Sequence, residues 1–190
     1  MYLGKASLSY EEPVYIQGYA SVVGKKEGEG PLADLFDEIV EDPMFGGENW
    51  EDAEGRLQLR TAQTAIKNAG LEPEDIRYIF AGDLLGQLIA TSFGLKELNI
   101  PLFGLYGACS TMGESLSLGS AFIAASQRGV AGARLSATTY LSPSTPISAS
   151  RARSCVSVVS KRARIAPSSS ATDLAVIFSS CNVFWTWISV

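Results

Sequence analysis

Ile100-Pro101-Leu102-Phe103-Gly104-Leu105-Tyr106-Gly107-Ala108-Cys109-Ser110-Thr111-Met112-Gly113-Glu114 is the stretch whose reading decides the fold. Its first half is an apolar run of strand length, with proline only at the start, where a missing backbone donor is tolerated. From Gly107 the chain turns straight into small residues and a helical pattern. A strand that feeds a helix this abruptly predicts a βα unit, and with it a parallel or mixed sheet covered by helices.

The segments upstream repeat the alternation. Arg77-Tyr78-Ile79-Phe80-Ala81-Gly82 reads as a buried strand, and Leu84–Leu98 as the helix after it, weakened by Gly86 and Gly94. Before these, Leu71-Glu72-Pro73-Glu74-Asp75-Ile76 is a turn with a short helical step. The best-marked helix follows Asn49, a good N-cap, with Glu51, Asp52 and Glu54 near the positive end of the helix dipole. Trp50, Ala53, Leu57, Ala62, Ala65, Ile66 and Ala69 form its apolar stripe, and Gly70 supplies the stop. Leu32–Glu41 reads as a short helix from its apolar spacing, broken by Pro43-Met44-Phe45-Gly46-Gly47. Val14–Val23 reads as a strand. Gly24–Pro31 is a charged, glycine-rich loop without the spacing of a phosphate loop.

Composition narrows the chemistry. The 190 residues contain no histidine, so a Cys–His or Ser–His pair cannot be built from this chain alone. Acid–base work near neutral pH falls to perturbed carboxylates, lysine, tyrosine or cysteine. Cys109, Cys155 and Cys181 form no CxxC pair and have no fourth ligand for zinc. No metal site and no cofactor are expected. An odd cysteine count without an apolar leader points to a reducing compartment. Leu174–Val190 is the most apolar stretch, but it includes Ser179, Ser180, Asn182 and Thr186 and is short for a membrane span.

Cys109 sits where the turn meets the helix. There the free N–H groups and the positive dipole end stabilise a thiolate, and they also receive a carboxylate or an oxyanion. The alternative for Cys109 is a buried, inert small side chain. Asp83 lies at the carboxyl end of the Ile79–Gly82 strand, where α/β sheets bind ligands, or is a solvated turn residue. Glu114, one turn into the helix, is expected to act through the dipole rather than in catalysis. The acidic run from Glu48 to Glu54 lacks the spacing of a calcium loop.

Ala69–Ile76, Phe80-Ala81-Gly82-Asp83-Leu84-Leu85 and Pro101–Thr111 together resemble the N-terminal half of the thiolase-like proteins, and in detail their sporulation branch, the stage V sporulation AD proteins. Gly30-Pro31-Leu32, Leu35-Phe36-Asp37 and Asn49-Trp50-Glu51 support the closer match. The resemblance covers roughly residues 1–120. It implies a layered α/β fold, here the N-terminal half only, with Cys109 at the nucleophile position of condensing enzymes. It also implies binding of dipicolinic acid, alone or as its calcium chelate, with Cys109, Ser110 and Asp83 as ligand-binding residues. Partners would be other stage V sporulation A membrane proteins, and the location cytoplasmic or peripheral at the forespore or spore inner membrane. A homodimer is the assembly to expect. The competing class is a thiolase or β-ketoacyl synthase using Cys109 as acyl acceptor, and the missing histidines argue against it.

The pattern changes near residue 120. Residues 1–119 carry 8 Lys+Arg against 19 Asp+Glu, while 120–190 carry 7 against 1, and serine rises from 7 to 16. Residues 121–190 therefore read as an atypical Ser/Arg/Ala-rich tail: a shifted reading frame or wrongly joined gene model, a disordered segment, or a divergent natural extension. The Arg151, Arg153, Lys161, Arg162 and Arg164 cluster lacks interleaved aromatics, so no nucleic-acid partner is expected.

Overall fold

A computed structural model of the chain describes residues 2, 3, 5, 7–11, 14–83, 87–107, 110–127, 137–140, 153–160 and 176–179. Strands β1 (Tyr2–Leu3) and β2 (Ser7–Leu8) form a small antiparallel pair. The long strand β3 (Tyr15–Gly24) lies between β4 (Glu38–Val40), to which it is parallel, and β8 (Arg153–Ser160), to which it is antiparallel. One helical turn, α1 (Lys25–Gly28), leaves β3 where a loop is expected. A parallel pair joins β5 (Ile79–Ala81) to β6 (Leu102–Gly104), and another joins β7 (Ala137–Tyr140) to β9 (Val176–Ser179).

Three helices cover these strands: α2 (Trp50–Asn68), α3 (Ile89–Leu95) and α4 (Thr111–Gln127). β5 shows how the layers arise. Its residues alternate in direction, as strand side chains must. Ile79 and Ala81 join Ala62, Ala65, Ile66 and Leu95 from α2 and α3, whereas Phe80 faces Ile123, Met112 and Leu116 of α4. A wholly apolar strand is thereby buried on both faces, and the protein is a layered α/β structure. Phe80 also stacks on Phe103, with ring centroids 4.8 Å apart, and meets Phe122 edge-on at 5.0 Å.

Local chemistry sets the ends of α2. Asn49 Oδ1 accepts the Asp52 N–H at 2.8 Å. Gly70 adopts φ +70° past the last turn, and the Gly70 and Leu71 N–H groups donate to the Lys67 and Ile66 carbonyls. Asn49→Ala is expected to cost about 1 kcal/mol of stability by urea unfolding. Next, the Leu71–Ile76 segment folds as a short 3-10 step, in which Glu72 and Asp75 form a reciprocal capping box.

Two expectations from spacing are corrected. Residues 32–41 form a 3-10 turn at Ala33–Leu35 followed by strand β4, not a helix. Asp37 is the cause: its Oδ2 accepts the Ser21 N–H at 2.7 Å and the Ser21 hydroxyl at 2.9 Å, drawing the chain out alongside β3. Leu32 and Leu35 stay exposed, so the apolar spacing has no surface to bury against. The second correction concerns α3, which begins at Ile89 rather than Leu84. Gln87 and Leu88 both hold left-handed φ angles, +50° and +78°, which no helix interior admits. Leu84–Gly86 lie outside the described residues.

α2 and α3 cross at two glycines. A Cβ on Gly94 would overlap the Gly55 backbone, and one on Gly55 would lie 3.1 Å from the Ala90 carbonyl oxygen. No wider residue fits at the crossing without the helix axes moving apart.

Candidate functional site at the carboxyl ends of β5 and β6

β5 and β6 run parallel, so their carboxyl ends open on the same side of the molecule. Gly82 follows β5 and abuts the first turn of α4: an added Cβ would overlap the Leu105 carbonyl oxygen and come 2.8 Å from Thr111 Cγ2. The β5 end is thereby pressed against the start of α4.

A tight hydrogen-bonded turn leads from β6 into α4. The Gly107 N–H donates to Thr111 Oγ1 at 3.1 Å, and the Ser110 N–H donates to the Gly107 carbonyl at 3.0 Å. The Ser110 hydroxyl lies 2.7 Å from that carbonyl and 2.5 Å from Glu114 Oε1, two acceptors for its single proton. A Cβ on Gly107 would displace Glu114 Oε1 and Ser110 Oγ, so the two side chains fold over the bare glycine. Thr111 and Ser115 are fully buried and brace the helix from beneath, the Ser115 hydroxyl donating to the Thr111 carbonyl at 2.6 Å.

Of the expected site residues, Ser110 is exposed at the mouth of α4. Cys109 lies outside the described residues. Asp83 is wholly buried, and its carboxylate is turned toward α3. Oδ1 accepts the Leu88 N–H at 2.9 Å, while Oδ2 accepts the Thr91 N–H at 3.0 Å and the Thr91 hydroxyl at 2.8 Å. These bonds satisfy backbone donors at the start of α3 that no helical carbonyl can reach. Asp83 therefore braces the wall of this end of the sheet. Glu114 lies in the first turn of α4, with its carboxylate folded back toward Ser110 and Gly107.

Spacing alone missed a polar seam between α2 and α3. Gln58 is buried on α2, and its Nε2 donates to Thr91 Oγ1 at 3.3 Å. Glu54, one turn earlier, is buried too. Burial first, then the charge of Asp83 and that of Glu51, pushes its carboxyl from the ordinary 4.5 up to about 8. The available signal was the run Glu54, Gln58, Thr61, Ala65 at intervals of three and four beside Gly55. Trp50, placed on the apolar stripe by spacing, is instead exposed. Among the described residues, no group of three or more cysteine or acidic side chains is arranged to hold a metal.

The model of the family described as Stage V sporulation protein AD matches residues 4–142. The chain belongs to that family. The match runs past the change in charge and serine content near residue 120, as does α4, which continues to Gln127. Stage V sporulation protein AD of Bacillus subtilis (strain 168) is 32% identical over 120 residues, which are 63% of this chain and 36% of that protein. The chain thus spans about a third of the length of its curated family relative. Among solved structures, ChlB3, described as an acyltransferase, is similar at 18% identity, covering 77% of this chain and 50% of its own, with a TM-score of 0.47. The 3-oxoacyl-(acyl-carrier-protein) synthase III of Aquifex aeolicus VF5 is similar at 18% identity, over 60% of this chain and 42% of that one, with a TM-score of 0.40. Among the described residues of this family member, no helix is long and apolar enough to cross a membrane.

Proposed function

We propose that this member of the stage V sporulation AD family binds dipicolinic acid, free or as its calcium chelate, and supports its uptake into the forespore and its release at germination. The observation that carries the reading is the start of α4 at the carboxyl ends of two parallel strands, with Ser110 exposed just before its first turn. The first-turn N–H groups and positive dipole end of a helix suit a planar dianion better than a neutral substrate. Cys109 and Ser110 line this mouth in the proposal, and Asp83 holds its wall from behind. Partners would be other stage V sporulation A membrane proteins, met at the forespore or spore inner membrane, with the chain as a homodimer.

Glu114 gives the proposal a sharp test, since its carboxylate already occupies the first turn of α4. A bound dianion must tolerate or displace it. Calorimetry with dipicolinate should show Glu114→Gln binding about two- to fivefold tighter, the dipole-scale effect of removing one competing charge. Ser110→Ala should bind about three- to tenfold more weakly, the worth of one hydrogen bond. Absence of heat with dipicolinate on the folded chain sinks the proposal. A stable acyl adduct on Cys109 after incubation with an acyl-CoA, read by mass spectrometry, would replace it with a condensing activity.

A further inference from the structure

The seam between α2 and α3 holds three buried oxygens that accept nothing: both carboxyl oxygens of Glu54 and Oε1 of Gln58. Hydrogen-bond direction around them is constrained. The Thr91 hydroxyl gives its proton to Asp83 Oδ2, so Thr91 Oγ1 must accept from Gln58 Nε2. That fixes the Gln58 amide with Oε1 on the far side, without a donor. Glu54 stands one turn before Gln58, at the i, i+4 spacing that brings helix side chains together.

We propose that Glu54 is held as a neutral carboxylic acid donating its proton to Oε1 of Gln58, which closes a buried relay through Thr91 to Asp83, and that losing this proton loosens α3 from α2. One added proton turns two orphaned acceptors into a donor and its partner, where two buried carboxylates would otherwise repel. The added proton falls to Glu54, because the Asp83 carboxylate accepts three bonds from the start of α3, while Glu54 accepts none. The surroundings agree. The charges acting on Glu54 are those of Asp83 and Glu51, both acidic. α3 has no titratable side chain between Ile89 and Leu95, and among the described residues the titratable groups of β3, Tyr15 and Tyr19, are exposed. The upward shift of Glu54 to about 8 has the same direction. The folded chain keeps the proton between about 4.5 and 8, while the unfolded chain releases it. Stability from this group is full below 4.5 and is lost as pH rises to about 8.

Urea unfolding of the full chain and of Glu54→Gln, from pH 5 to 9, tests this. The glutamine donates to Oε1 of Gln58 at every pH. The unfolding constant of the parent, divided by that of the variant, should rise by about tenfold per pH unit up to roughly 8 and then level off. Amide exchange of Thr91, corrected for intrinsic rate, should accelerate above pH 8 in the parent only. A ratio that does not change with pH overturns the proposal. So does a carboxyl carbon signal of Glu54 titrating near 4.5 by NMR, which also decides the matter if the variant folds poorly. Stabilisation of the parent alone by sodium, potassium or calcium at pH 8, against tetramethylammonium, means that a cation rather than a proton fills the seam, and overturns it too.

Discussion

A Gly94→Ala chain is expected to unfold with a midpoint roughly 5–10 °C below that of the parent, a loss of about 2–3 kcal/mol. The new methyl group would meet the carbonyl oxygen, Cα and carbonyl carbon of Gly55. All three are backbone, so no side chain can swing away. The helix axes must separate instead, and α3 would lose the seat of Leu95 against Ala62, Ala65 and Ile66. Alanine's higher helix propensity offsets about 1 kcal/mol of the cost. Gly113→Ala is the control, since a Cβ there meets nothing within 4 Å in the middle of α4's first turns. It should leave stability unchanged or raise it by up to about 1 kcal/mol. If thermal melts show the two variants to be equivalent, the close crossing of α2 and α3 is wrong.

Asp83→Ala should be at least as damaging, at about 3–5 kcal/mol by urea unfolding at pH 7, because two N–H groups and a hydroxyl lose their acceptor in a buried site. Part of that loss is returned at Glu54. Without the neighbouring charge its carboxyl ionises more readily, so the pH dependence of the variant should shift toward lower pH. Asp83→Asn keeps one acceptor oxygen and should fall between the two. The loss appears with no ligand in the tube. An Asp83→Ala chain as stable as the parent would mean that the carboxylate faces the open end of the sheet rather than α3.

The elements that could be read from sequence are those whose causes are local. Asn49 and Gly70 bound α2 because a cap and a left-handed stop act within a few residues. β5 and β6 were legible because strands buried on both faces are apolar throughout, and the turn at Gly107 because it packs small residues into a strand-to-helix step. What escaped depends on distant partners. Residues 32–41 have a helix's spacing, but Asp37 is captured by Ser21, sixteen positions back, and the chain extends instead. At Asp83, position in the strand was legible and direction was not, since that is decided by the N–H groups of Leu88 and Thr91. Glu54 and Gln58 look like ordinary exposed-face residues until α3 covers them. Cys109, around which the sequence argument turned, lies outside the described residues, and the case for the site rests on the turn and helix beside it.

Leu88 carries one more consequence. It accepts a left-handed φ of +78°, unfavourable for a branched side chain, and in return its Cδ1 lies over Gly104 of β6, 2.7 Å from where a Cβ would stand. Positions 88 and 104 thus compete for one volume. Within the family they should covary: a glycine at 88 relieves the strained turn and leaves room for alanine or serine at 104, whereas a side chain at both forces residue 88 to swing off the strand.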